Sequence, residues 1–227
     1  MITMVVFDLD DTLYDEVDYC RSGFAAVADF LAALPDSSSA GQIFTALWNQ
    51  FSAGNRTKTF NAALEELDIS YDGEMITELI KVYRSHDPKI TLPADTEDIL
   101  KQISKKYKLA LLTDGFLPAQ QLKVRALGIE HYFKRIIYTE LLGREFWKPS
   151  HRPFEILMQD LNEKPQTCAY IADNEKKDFI APNELGFLTV QLIRPARLHS
   201  EPSDQPNAPA RYVIHKISEL PKILKNS

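Results

Sequence analysis

Thr3-Met-Val-Val-Phe-Asp-Leu9 is a short apolar, β-branched run that ends in acid, and Asp10-Asp-Thr12 follows it directly. A strand buried on both faces of a parallel sheet reads as such a continuous run, and acid at its C-terminal end marks where it reaches a site. Four more runs of this kind follow: Lys108–Thr113, Arg135–Thr139, Cys168–Ala172 and Leu188–Ile193. Helical patterns separate them. From Asp95 to Tyr107, the side chains of Ile99, Leu100, Ile103 and Tyr107 share one face. The next helix starts near Pro118 and stops at Gly128; Pro153–Leu161 and Asp178–Leu185 are shorter, the latter stopped by Gly186. Tyr212–His215 and Ile217–Leu224 supply a last strand and helix. Strands alternating with helices predict an α/β fold with an open, doubly wound parallel sheet.

One stretch breaks the alternation. From Glu16 to Ile90 there are only helical patterns: Gly23–Leu34, Ile43–Phe51, Thr59–Leu67 and Glu74–Arg84, the last with an apolar stripe of Met75, Ile76, Leu79, Ile80 and Tyr83. A crossover between parallel strands needs only a dozen or so residues, so residues 16–90 are expected to be an inserted helical subdomain, and residues 1–15 with 91–227 the core. Arg194–Arg211, with four prolines, reads as a mobile polar loop.

The chain has 227 residues, enough for one large domain with an insert, with 44% hydrophobic and 26% charged residues, as in globular proteins. No apolar run approaches the roughly 18 residues that span a bilayer, and the N-terminus lacks the basic region of a signal peptide. Cys20 and Cys168 form neither a CxxC pair nor a disulfide framework. A cytoplasmic location is expected. The net charge of −6 argues against a nucleic acid partner, because no basic excess exists to release counterions.

Asp8 and Asp10 stand two residues apart on an extended chain and so face one site together. Two carboxylates this close repel, and a divalent cation is the usual remedy. Thr113-Asp-Gly115 closes the second strand, Lys148 lies in the loop after the third, and Asp173 and Asp178 follow the fourth in Ala-Asp-Asn-Glu-Lys-Lys-Asp178. In open α/β sheets a ligand sits outside the carboxyl ends of the strands, and four polar groups at four such ends are not what packing alone selects.

This ordered set resembles the haloacid dehalogenase superfamily: Phe7-Asp-Leu-Asp-Asp-Thr12 for its first motif, Leu111-Leu-Thr-Asp-Gly115 for its second, Lys148 for its third and Asp173 to Asp178 for its fourth. Ala172 departs from the usual glycine before Asp173. The insert also falls where members with a type-1 helical cap carry theirs. The resemblance implies a Rossmann-like core and a phosphatase acting on a small phosphorylated metabolite, such as a nucleotide, a sugar phosphate or phosphoglycolate. It makes Asp8 the nucleophile that forms an aspartyl-phosphate, and Asp10 the acid and base, protonated when substrate binds. Mg²⁺ would be held by Asp8, the carbonyl of Asp10 and Asp173, with Asp178 a direct or water-mediated ligand. Thr113 and the amides of Asp114 and Gly115 would hold the phosphoryl oxygens, and Lys148 would offset charge. Members that displace halide lack an acid at the position of Asp10 and need no metal. A phosphomutase of the β-phosphoglucomutase kind stays open, as does a binding protein on the same fold, although five intact site residues argue against the last.

Other residues receive structural readings. Asp11 and Asp15 are expected to be structural or solvated, and Thr12 to hydrogen-bond the loop. The five histidines lack metal-ligand spacing and receive no role. Cys168 reads as a small hydrophobe, and Lys176 and Lys177 as a solvated helix face. Trp48, Phe51 and Phe60 are expected to pack the insert. Arg21, Arg56 and Lys58 are candidates for contacting a charged substrate from it.

Overall fold

The computed structural model describes residues 1–35 and 38–227. Six parallel strands form one sheet: β1 (Met4–Phe7), β2 (Lys108–Thr113), β3 (Arg135–Tyr138), β4 (Cys168–Ala172), β5 (Leu188–Leu192) and β6 (Tyr212–Ile214), in the order β3-β2-β1-β4-β5-β6. All six strands of the sequence reading are present. Their apolar runs are continuous because both faces of the sheet are covered. Met4, Val6, Ala110, Leu112, Cys168, Tyr170 and Ala172 share one core cluster with Phe154, Leu157, Phe179 and Phe187. The alternate residues Val5, Phe7, Leu109, Leu111, Ala169 and Ile171 are equally buried.

The chain divides into two compact units, Met1–Val17 with Thr91–Ser227, and Asp18–Ile90. Nine helices are described: α1 (Glu16–Ala32), α2 (Ala40–Ser52), α3 (Thr59–Glu66), α4 (Gly73–Ser85), α5 (Ala94–Ile103), α6 (Ala119–Leu127), α7 (Arg152–Leu161), α8 (Ile180–Leu185) and α9 (Leu220–Lys225). Glycines in the left-handed region end α6 (Gly128, φ 66°) and α8 (Gly186, φ 92°), as their positions in the sequence required.

Within the second unit, Ser39 and Asp72 accept backbone hydrogen bonds at the starts of α2 and α4. An aromatic cluster holds this unit: the Phe24 ring lies 5.4 Å from those of Phe51 and Tyr83 and 6.3 Å from that of Phe60. The guanidinium of Arg21 lies 4.8 Å from the Trp48 ring centroid and that of Arg56 5.3 Å from the Phe51 centroid.

Two expectations shift. α1 begins at Glu16, a full turn and more before Gly23, because the Asp11 carboxylate accepts the Glu16 N–H at 2.9 Å and satisfies its first turn. α8 begins at Ile180, so Lys176 and Lys177 occupy a turn between β4 and α8 instead of a helix face.

Candidate active site

The strand order reverses between β1 and β4, where a doubly wound sheet opens a crevice. Phe7 pairs with Ile171 and with Leu111, so the loops after β1, β2 and β4 leave the sheet side by side. Asp8 still donates its N–H to Ile171 O at 2.9 Å, which fixes its backbone as the last rung of the ladder. Beyond it Asp11 takes a left-handed conformation (φ 52°), which a short polar residue tolerates. Its carboxylate accepts the N–H of Glu16 at 2.9 Å and of Leu198 at 2.6 Å. Asp11 is therefore an anchor for two backbone segments.

Lys148 is the hub of the buried charge. Its Nζ lies 2.7 Å from Asp8 Oδ1, 2.7 Å from Asp178 Oδ1 and 3.1 Å from the hydroxyl of Tyr170. An ammonium has three donors, and three acceptors surround this one. Asp178 is held further by the Asn174 N–H at 2.9 Å. Asp114 accepts from Thr139 Oγ1 at 2.8 Å and from Lys148 N at 3.3 Å, and its other oxygen meets Lys177 Nζ at 3.4 Å. The loops after β2, β3 and β4 are thereby tied together.

The two acids of the first motif live in different fields. Burial pushes the Asp8 carboxyl up to about 7, with Lys148 opposing and Asp178 adding to the shift. Asp10 is also pushed up by burial, but Lys123 at 2.8 Å, Tyr14 OH at 2.5 Å and Gln120 Nε2 at 2.8 Å outweigh that and hold it below the usual carboxylate range. Burial, then Asp178 and Asp8, raise Asp173 to about 9; burial, then Asp10, raises Glu16 to about 8. Burial works against the charge of Lys148, yet Asp178 and Asp8 keep its pKa well above that of a free lysine.

Asp8, Asp173 and Asp178 each offer a carboxylate oxygen within 4.8 Å of the others. Asp173 Oδ2 is buried without a hydrogen-bond partner. A buried carboxylate oxygen with no donor is costly unless something cationic meets it. Hard oxygen donors around such an orphan fit a divalent cation of the Mg²⁺ type.

Asp8, Asp10, Asp114 and Asp173 line one cavity of about 90 Å³, joined by Asp11, Glu16, Asn174, Lys177 and His199. Thr113, Lys148 and Asp178 are buried beside it. The cavity thus brings together Asp8, Asp10, Asp114 and Asp173, with Lys148 and through it Asp178 joined to Asp8, and Thr113 joined to Asp10 through Gln120. The structure also corrects several readings. Thr12 Oγ1 has no hydrogen-bond partner, and it is the Thr12 carbonyl that accepts from Arg194 Nε at 3.2 Å. Lys177, which the sequence reading put on a solvated helix face, and His199, which received no role, both line the cavity. The loop after β5 is pinned at several points. Leu198 N–H binds Asp11, Lys176 Nζ meets Glu201 at 2.8 Å, and Arg194 Nη2 meets Thr96 Oγ1 at 2.9 Å. Gln120, Lys123, Tyr14 and Tyr170 were not foreseen, because a glutamine or lysine on a helix carries no sequence mark of pointing inward.

The family model for haloacid dehalogenase-like hydrolases matches residues 2–186. The glyceraldehyde 3-phosphate phosphatase of Methanopyrus kandleri is 26% identical over 98% of this chain and 100% of its own. The enzyme of the same name from Methanocaldococcus jannaschii is 27% identical over 100% and 98%. Among solved structures, 2-haloacid dehalogenase from Pseudomonas syringae pv. Tomato superposes with a TM-score of 0.67 at 22% identity, over 100% of this chain and 99% of that one.

Proposed function

The chain belongs to the haloacid dehalogenase-like hydrolases, and from that premise we propose that it is a Mg²⁺-dependent phosphatase of a small phosphorylated metabolite, with Asp8 as nucleophile. The observation that carries the reading is the pairing of Asp8 and Asp10 on one cavity with the orphaned oxygen of Asp173. A carbon–halogen hydrolase of this family lacks the second acid. The names of the relatives support a phosphate ester as substrate.

Asp8, Asp173 and Asp178, with the carbonyl of Asp10, would hold Mg²⁺, which when bound offsets the charge between an anionic nucleophile and an anionic phosphoryl group. Lys148 holds Asp8 Oδ1, which leaves Oδ2 to attack phosphorus as the bond to the leaving oxygen breaks. Asp10 gives its proton to that oxygen, so the alcohol departs neutral. Lys123 keeps Asp10 ionised in the present arrangement, but an arriving phosphoryl anion raises its proton affinity. Asp10 then takes a proton from water as the water oxygen attacks the aspartyl-phosphate, releasing inorganic phosphate and restoring Asp8. Thr113 and the amides of Asp114 and Gly115 would hold the phosphoryl oxygens, and Lys148 and Lys177 supply positive charge. The helical segment 16–90 would act as the cap that selects the leaving group.

Phosphate release from a panel of glyceraldehyde 3-phosphate, sugar phosphates, mononucleotides and phosphoglycolate tests this. At least one is expected to be hydrolysed with Mg²⁺ and to lose about 100-fold or more in EDTA. No release from any would overturn the phosphatase reading.

The cation should also be visible in stability. Asp8, Glu16 and Asp173 bind protons more tightly in the fold than in the unfolded chain, with values of about 7, 8 and 9. A carboxyl raised on folding contributes stability that is complete below its unfolded pKa and is lost as pH rises through the folded one. The melting temperature in EDTA is therefore expected to fall from pH 5 to pH 9. Mg²⁺ would take the place of the protons on Asp8 and Asp173 and should flatten the fall. Parallel curves with and without Mg²⁺ would argue against the acidic cluster as its site.

A further inference from the structure

We propose that Gln120 and Lys123, on one face of α6, are positioning residues that set the Asp10 carboxylate and the Thr113 hydroxyl for phosphoryl transfer. This rests on the phosphatase reading of the same site. Residues three apart lie on one side of a helix, and here both are buried, at 2% and 3% exposure. The Gln120 amide spans two loops: Nε2 lies 2.6 Å from Thr113 Oγ1 and 2.8 Å from Asp10 Oδ2. A side-chain amide nitrogen carries two hydrogens, so one can go to each oxygen. The carboxylate fixes which way the amide faces, because the amide oxygen in that place would meet a second acceptor.

The consequence for Thr113 is directional. With its lone pair receiving a hydrogen from Gln120, its own proton is left to donate, and its contact with the Asp114 carbonyl is long at 3.4 Å. Gln120 thus makes Thr113 a donor, which is what a phosphoryl oxygen requires. One turn along, Lys123 Nζ takes the other side of the acid, 2.8 Å from Asp10 Oδ1 and 3.8 Å from Glu16 Oε1. The Tyr14 hydroxyl donates to the same Oδ1. Both oxygens of Asp10 are therefore fixed from α6.

Gly115 gives an independent sign that Gln120 belongs there. Its φ is +140°, and a Cβ on it would lie 2.8 Å from Gln120 Cδ and 2.9 Å from Cγ. Gln120 cannot step aside without releasing Thr113 and Asp10, so the glycine of the second motif is also the space through which Gln120 passes. Packing alone does not call for this arrangement, since an apolar pair would bury the face of α6 without the desolvation cost of an ion pair.

The test compares two leaving groups. An alkyl alkoxide needs a proton as it departs, whereas p-nitrophenolate leaves without one. Values of kcat/KM, which report steps through leaving-group departure, are measured with an alkyl phosphate and p-nitrophenyl phosphate for wild type, Gln120→Leu, Lys123→Met and Lys123→Arg. Loss of about 10- to 100-fold is expected for the first two variants on the alkyl ester. On the aryl ester less than about threefold is expected for Lys123→Met, and for Gln120→Leu a loss smaller than its loss on the alkyl ester, what remains being the share of Thr113, which meets either ester; Lys123→Arg should recover most of the Lys123→Met loss. Equal losses on both esters would overturn the positioning role. Hydrolysis of neither ester by wild type would instead strike the phosphatase reading. A crystal structure of Gln120→Leu decides the inference without turnover: Asp10 and Thr113 are expected to rotate away from their present places, and unmoved side chains would overturn it. Should Lys123→Met fail to fold, Gln120→Leu carries both measurements.

Discussion

Asp8→Asn is expected to lower phosphate release by about 10⁴-fold or more, with a fold as stable as wild type. The side chain is nearly isosteric, but an amide oxygen is a poor nucleophile. Lys148 holds Asp8 Oδ1 at 2.7 Å and the ladder bond to Ile171 fixes its backbone. Asp10 cannot take over, because both its oxygens are engaged by Lys123, Tyr14 and Gln120. The fold should survive because Lys148 keeps Asp178 as a partner, also at 2.7 Å. At pH 8 the variant is expected to melt no lower than wild type in EDTA, since one member of a crowded set of carboxylates has lost its charge. Activity above about a tenth of wild type, measured on the best member of the panel, would remove Asp8 from the nucleophile's role. A phosphoryl group found by mass spectrometry on wild type after acid quench, and absent from Asp8→Asn, would fix the intermediate on that residue.

The sheet was legible because its strands carry their own evidence. A strand such as Cys168–Ala172 is apolar at every position, and being covered on both faces is the physical reason. Helix ends were legible where glycine or proline dictated them and less so where a side chain from elsewhere did. The start of α1 at Glu16 depends on Asp11, a residue whose left-handed backbone and two backbone partners have no local signature. The motif residues were legible because Asp8, Thr113 and Asp173 lie at strand ends and Lys148 in the loop after β3, in the order that the resemblance to the family's motifs implies. Their supports were not. Gln120 and Lys123 sit in a helix whose sequence gives polar residues no direction, and Tyr170 is one apolar-looking position in a buried strand until its hydroxyl meets Lys148. His199 reaches the cavity through a loop held by Asp11 and Lys176, contacts between residues that are distant in sequence.

Lys148→Met should cost more stability than any other single change at the site, about 3–5 kcal/mol at pH 8. Methionine fills much of the same volume, so the loss is one of charge. Asp8 and Asp178 would face each other with no cation between them, and Asp173 lies within the same 4.8 Å group. The deficit has a sign in pH. Removing the ammonium takes away the charge that opposes the upward shift of Asp8, whose folded pKa then rises further above its unfolded value. Such a shift leaves stability intact in acid, where the carboxyl is protonated in either state, and costs it as pH rises. Denaturant midpoints of variant and wild type in EDTA are therefore expected to lie close together near pH 4 and to separate toward pH 8. Adding Asp178→Asn should return part of the loss, because one of the two unpaired charges is then gone. Turnover falls by a separate route, about 10³-fold, since the charge that offsets the transferring group is missing, and the second substitution should not restore it. A gap between variant and wild type that is the same at pH 4 and pH 8 would mean that Lys148 serves by packing, and would leave the electrostatic account of this site without its centre.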